Sequence, residues 1–317
     1  MSNKSRNVTV RQDLSTYAHG IGQDLVAMRQ MAQLLAPVVP TGGTSGLYNK
    51  FDNTAAFKVY ADSVARRAVG GQASDIGFLS DTANYNAVPY GLRISIDGHE
   101  RLQAGDNPAL LEQAKTRTLT INCYLAYLSA IVTIVKAAVS AATGKGGWNN
   151  GNVDPIKELN EQIKAVWLAT GILPNHVTMD FGAWAVLSDN PNVLKRMPGA
   201  DLAQVTPARV GKLLVNPNAT IEVVETAILY GGGLGNTSAT RRGVMGGSAL
   251  IYFNSVSPTQ YDPSFCKTFA PASGLFTEVY SYREEPHLDW FENDWTADVA
   301  VVSSSLCKRI DVTGAND

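Results

Sequence analysis

The residues that could do chemistry in this 317-residue chain are few, and each candidate lacks a partner its chemistry needs. Tyr230-Gly231-Gly232-Gly233-Leu234-Gly235-Asn236 contains a G-x-G and could cradle phosphate through backbone amides. It lacks the following helix and the lysine and serine of a P-loop. A strand-like run precedes it and another follows, so it reads as an inter-strand loop. Thr143-Gly144-Lys145-Gly146-Gly147 fails in a similar way, because its lysine follows a helix instead of preceding one. The histidines His19, His99, His176 and His287 are scattered, and none has a second His or Cys at metal-ligand spacing. No metal site and no cofactor is expected. No G-x-S-x-G occurs, so an α/β-hydrolase nucleophile is not signalled. Glu284, Glu285, Asp289 and Glu292 could supply carboxylates for acid–base work, but without a cleft they read as solvated or paired groups. No catalytic residue is assigned.

Arg66 and Arg67 are a different kind of candidate. They lie with Gly70, Gly71, Gln72 and Asp75 in a long polar excursion between two strand-like segments. The first runs from Tyr48-Asn49-Lys50-Phe51-Asp52 through Phe57-Lys58-Val59-Tyr60, the second from Tyr85 to Asp97. A compact domain rarely keeps over twenty residues of loop without a purpose. A long two-stranded arm is only marginally stable alone. These six residues are therefore expected to contact another copy of the chain, with Arg66 and Arg67 facing carboxylates there.

Composition limits the alternatives. Hydrophobic residues make up 45 % and charged ones 17 %, and the net charge is −2. No basic excess exists to drive nucleic-acid binding by counterion release. Cys123, Cys266 and Cys307 are odd in number and far apart, which suggests free thiols and a reducing compartment. The polar start, Met1 to Arg6, shows no signal peptide. Leu119 to Ala142 is long and apolar enough to be tested as a membrane span. Asn122, Lys136 and the surrounding Ser and Thr favour a buried helix instead, since a lysine in a span costs about 2.5–3.5 kcal/mol.

The positioning elements follow from local signals. Asp24, Leu25, Met28, Met31, Leu34 and Leu35 form one helical stripe within an otherwise extended arm ending near Gly43. In the returning strand, Leu92, Ile94 and Ile96 alternate with Arg93, Ser95 and Asp97, which predicts one buried face. Asn107-Pro108 reads as N-cap and first helical position of a helix running to about Ala142, roughly 50 Å long. Its residues Leu125, Leu128, Val132 and Val135 should be covered by strands near Val299 and Val301. Asp154-Pro155 opens an amphipathic helix (Ile156, Leu159, Ile163, Val166, Trp167) capped by Gly171. His176–Phe181 reads as a strand, Gly182–Ser188 as a helix, and Asn190-Pro191 and Thr206-Pro207 as two more helical starts. Ile221–Tyr230, Ala249–Asn254, Phe276–Pro286 and Ala297–Val312 read as strands, with Asp289–Trp295 as an acidic aromatic connection before the last.

In this order the elements resemble the major capsid proteins of tailed bacteriophages, the Hong Kong 97-type fold, from about Leu34 to Val312. Leu35-Ala36-Pro37-Val38-Val39-Pro40 before Tyr48–Asp52 resembles the entry into that family's extended hairpin. Asp154-Pro155-Ile156 is similar to the entry into its axial domain. Gly171-Ile172-Leu173-Pro174-Asn175-His176-Val177, then Trp184, Leu187 and Asn190-Pro191, resemble its G-x-x-P-N strand and the helix after it. Pro207-Ala208-Arg209-Val210 and Ala249-Leu250-Ile251-Tyr252 continue in order.

The resemblance implies an α+β fold with an N-terminal arm (1–43), an extended hairpin or E-loop (44–101), and a peripheral domain with a spine helix (102–150). An axial domain (151–275) and peripheral return strands (276–317) complete it. It also implies a structural subunit, not an enzyme, that self-assembles through pentamers and hexamers into an icosahedral shell around double-stranded DNA. Portal and scaffold or decoration proteins would be partners, with DNA held weakly and no membrane involved. The place would be the virion capsid, assembled in the host bacterial cytoplasm. With about 40 residues before the hairpin and no coiled-coil heptads, a separate scaffold or none is implied. Two alternatives stay open: an encapsulin-like compartment shell, and an α/β enzyme using the glycine-rich loop.

Overall fold

The computed structural model describes residues 8–24, 26–50, 65–74, 81–105, 107–197, 205–230, 240–272, 275–285 and 287–315. Its spine is one helix, here α4 (Pro108–Ala138). Pro108 occupies its first turn, where a missing N–H costs nothing. The helix stops four residues short of the expected Ala142, because Val139 is extended. Ala142 then donates its amide to the Arg309 carbonyl at 2.8 Å, so the chain leaves the helix to meet a strand. The helix is long and apolar enough to cross a membrane by composition alone. Here Leu119, Tyr127, Leu128, Ile131, Val132 and Val135 are instead buried in the first core. Leu128, Val132 and Val135 meet the expectation, with Val299 and Val301 packed against the same cluster, while Leu125 is half-buried.

The first sheet contains β1 (Thr9–Val10), β2 (Val38–Thr41), β5 (Val88–Asp97), β11 (Cys266–Pro271), β12 (Phe276–Glu285) and β13 (Leu288–Val301). β13 is its centre, antiparallel to β5, β11 and β12. This corrects the reading of Asp289–Trp295 as a connection and of Ala297–Val312 as one strand. Phe291, Asn293, Trp295 and Ala297 are buried, and the residues between them are half-buried. Of the acidic residues that disguised the strand, Glu292 and Asp294 alternate away from the buried side chains, and Asp289 is half-buried near the strand's start. Tyr282 donates its hydroxyl to Glu292 Oε2 at 2.8 Å. Asp289 takes Arg283 at 2.7 Å and Arg101 at 3.0 Å. β5 follows its expected alternation only at its far end, where Ile96 is buried and Ile94 half-buried. Leu92 is exposed, since nothing described covers the strand there.

The N-terminal residues are more helical than expected. α1 (Gln12–Asp24) and α2 (Val26–Leu35) send Leu14, Ala18, Met31, Ala32 and Leu35 into the first core. Arg11 holds this segment to the spine by pairing with the buried Glu112 at 2.9 Å, and Arg101 holds the other Glu112 oxygen at 2.8 Å. Arg101 lies in α3 (Gly98–Gln103), whose N-cap Asp97 and Glu100 form a capping box.

The second sheet has the order β14 (Cys307–Asp311), β10 (Ser248–Tyr252), β6 (His176–Asp180) and β7 (Thr220–Val224). α5 (Pro155–Thr170), α6 (Phe181–Ser188), α7 (Pro191–Lys195) and α8 (Pro207–Gly211) accompany it. Asp154 caps α5 by accepting from Ile156 and Lys157, and Gly171 ends it at φ 73°, the left-handed conformation glycine adopts freely. Ile156, Ile163, Val177, Met179, Leu187, Ile251 and Ile310 fill the second core. The run Ile221–Tyr230 is two strands, not one. β7 pairs with β6, whereas β8 (Ala227–Tyr230) pairs with β9 (Thr240–Gly243) in a separate hairpin. The C-terminal strand β14 also crosses into this sheet, away from the peripheral return strands with which the expected boundaries group it.

Candidate assembly interface

The polar side chains of the resemblance motifs turn out to be staples. Asn190 caps α7 and donates to the Trp148 carbonyl at 2.7 Å. Asn175 and Asn254 exchange side-chain and backbone bonds of 2.7 and 3.0 Å, and Asn254 reaches the Leu34 carbonyl at 2.7 Å. These bonds fix the body that carries the hairpin.

The hairpin stem is β3 (Ser45–Lys50) paired with β4 (Asp81–Asn86). Tyr48 faces Ala83 and Gly46 faces Tyr85, so both tyrosines share one face. That face lies on Phe269. The ring centroids are 5.0 Å apart for Tyr48 and 4.7 Å for Tyr85, the second pair stacked. Val39 and Val302 complete a small buried cluster separate from the two main cores. Gly46 is required here, because a Cβ would lie 2.6 Å from the Tyr85 hydroxyl oxygen. Backbone bonds fasten the edges: Asn49 N to the Gln260 carbonyl at 3.2 Å, Ala87 N to the Thr44 carbonyl at 2.7 Å. Asn86 N donates to Asp298 Oδ2 at 2.7 Å. Burial pushes the Tyr48 phenol above its usual pKa, so it stays neutral.

Beyond the stem, residues 65–74 are exposed apart from the half-buried Gly71. Gly70 takes φ 80° and Gly71 donates to the Ala68 carbonyl at 2.9 Å, forming a tight turn. Arg66, Arg67, Gly70 and Gln72 therefore share one exposed stretch with Gly71. Asp75 lies outside the described residues, as do residues 51–64, which include the expected strand Phe57–Tyr60. The sequence reading found this stretch but missed the anchors Phe269, Val302, Gln260 and Asp298. The paired Tyr48 and Tyr85 were the available signal, since two buried aromatics on a stem need a platform.

The candidates for catalysis do not converge. The glycine-rich residues 231–235 lie outside the described residues, which resume in β9, antiparallel to β8. His176 Nδ1 lies 3.3 Å from Glu222 Oε1, His99 lies 3.2 Å from Gln103, and His287 is exposed. The His19 side chain lies outside the described residues. Among the described residues no three His, Cys, Asp or Glu side chains cluster to hold a metal. The thiols are buried and free. Burial pushes Cys123 and Cys266 up to about 12 and Cys307 well above its ordinary value, so none offers a thiolate near neutrality.

No family model and no curated protein matches the sequence. Solved structures do match. A phage-related protein from Bordetella bronchiseptica RB50 aligns at TM-score 0.70 and 18 % identity, covering 98 % of this chain and 99 % of that one. The capsid of cyanophage P-SCSP1u gives 0.51 at 11 % identity, with 88 % and 87 % covered. The SrpI encapsulin of Synechococcus elongatus PCC 7942 gives 0.51 at 9 % identity, with 100 % and 94 % covered. The fold is thus the mixed helix-and-strand capsid fold of tailed phages, which the encapsulin also resembles.

Proposed function

We propose that this chain is the structural subunit of a closed icosahedral shell enclosing the double-stranded DNA of a tailed phage. One observation carries the reading: a hairpin stem is anchored on the body by a dedicated aromatic cluster, and it holds up an exposed stretch, residues 65–74, that buries almost nothing within its own chain. Such a stretch is expected to be covered by another copy, with Arg66, Arg67, Gly70, Gly71, Gln72 and Asp75 at the contact. Identical chains then close by symmetry. The reading has no catalytic step, and places the chain in the virion after assembly in the host cytoplasm. Portal and scaffold or decoration proteins join it, and no membrane takes part. The division into arm, E-loop, peripheral and axial domains goes with it, the axial sheet also taking the strand 307–311.

The test is sedimentation of the purified chain across salt, pH and scaffold conditions. Large, uniform particles are expected, and monomers or dimers throughout would sink the proposal. The particle contents decide between this reading and the encapsulin-like one, which the end-to-end SrpI match favours: DNA supports a phage shell, a protein cargo supports a compartment. With net charge −2, DNA should be confined and not tightly bound. Isolated subunits binding it tighter than about 10⁻⁶ M near physiological salt would contradict this.

A further inference from the structure

The body carries two exposed features, outside the hairpin stem, that complement each other. The first is a groove of about 510 Å³ along α5. Trp167, Leu173 and Val215 line it and remain 45 %, 49 % and 63 % exposed. Exposed apolar side chains gathered in one groove mark an interaction site more than scattered ones do. Its rim is basic. Glu161 is already paired with Lys145 at 2.6 Å and Arg196 with Asp154, whereas Lys157 and Lys164 have no ion-pair partner among the described residues.

The second feature is a knob. Asp180 pairs with Val224 at the last position of the parallel β6 and β7, so Phe181 and Glu225 emerge side by side where the strands end. Phe181 is 58 % exposed, and Glu225 is exposed with no ion-pair partner among the described residues. Leu173, in the groove, comes just before β6, and Phe181 comes just after it. Five strand residues, about 17 Å of rigid sheet at ~3.3 Å each, hold the two apart, so they cannot meet within one chain.

We infer that the Phe181–Glu225 knob of one copy seats in the Trp167–Leu173–Val215 groove of the next. Phe181 enters the apolar floor and Glu225 faces Lys157 and Lys164. Different patches meeting head to tail form a heterologous contact, which closes into rings when the rotation permits. This inference rests on the shell reading and names a contact separate from the hairpin.

The experiment measures the lowest protein concentration that gives assembly for wild type, Phe181→Asp, Trp167→Asp, Glu225→Lys, Lys164→Glu and the combined Glu225→Lys/Lys164→Glu chain. All the altered side chains are exposed, so thermal melting should stay close to wild type. Phe181→Asp and Trp167→Asp should each raise the threshold tenfold or more. The two single charge reversals should raise it a few-fold, and the combined chain should recover most of the loss. Folded Phe181→Asp or Trp167→Asp chains that assemble like wild type would overturn the inference and leave the shell reading intact. So would a combined chain no better than the worse single reversal. A wild type that stays monomeric would take down both.

Discussion

The root and the tip of the hairpin are built on opposite terms. At the root, Tyr48 and Tyr85 are buried on Phe269, and Gly46 has no room for a side chain. At the tip, residues 65–74 are exposed apart from the half-buried Gly71, and Gly70 with the Ala68–Gly71 bond forms their turn. Stability should therefore reside in the root and be independent of the tip, while association should reside in the tip. On the proposed reading, a chain built this way should fold before it meets another copy.

The sharpest way to break this contrast is to remove the tip. Replacing residues 62–81 with a short Gly-rich turn should abolish assembly while leaving a cooperatively melting monomer. Light scattering and thermal melting of both chains decide it, and normal particles from the shortened chain would end the role given to the arm. At the root the expectation reverses. Phe269→Ala should cost about 3–5 kcal/mol of folding stability, as large aromatic truncations in cores do. Denaturant unfolding measures it, and a loss under about 1 kcal/mol would mean the cluster is not an anchor. The smallest effect belongs to charge. Arg66→Glu with Arg67→Glu should leave melting unchanged and weaken assembly more at low salt than at high salt, because exposed pairs are screened over about 10 Å at 0.1 M. Salt-independent loss would mean the arginines do not meet carboxylates.

The same contrast explains what the sequence disclosed. Helix starts were readable because Asn107-Pro108, Asp154-Pro155, Asn190-Pro191 and Thr206-Pro207 each put a capping residue before a proline, and all four begin helices. These signals are local. β13 was misread because Asp289, Glu292 and Asp294 look like a solvated loop, and the partners that make them tolerable, such as Arg101, Tyr282 and Arg283, are distant in sequence or on another strand. α1 was missed because Gly20 and Gly22 lower its helix propensity by about 1 kcal/mol each, a deficit offset by packing against the spine. The early end of α4 depends on Arg309, far along the chain. The tip was visible as polar excess, but the platform beneath the root was not, since Phe269 and Val302 reach it only through the folded sheet.

The most direct measurement is a negative-stain image of the purified wild-type chain, alone and with a scaffold protein supplied. Closed particles of uniform diameter with icosahedral outlines are the predicted result. A field of monomers and dimers under every condition, from protein that melts cooperatively, would contradict the account.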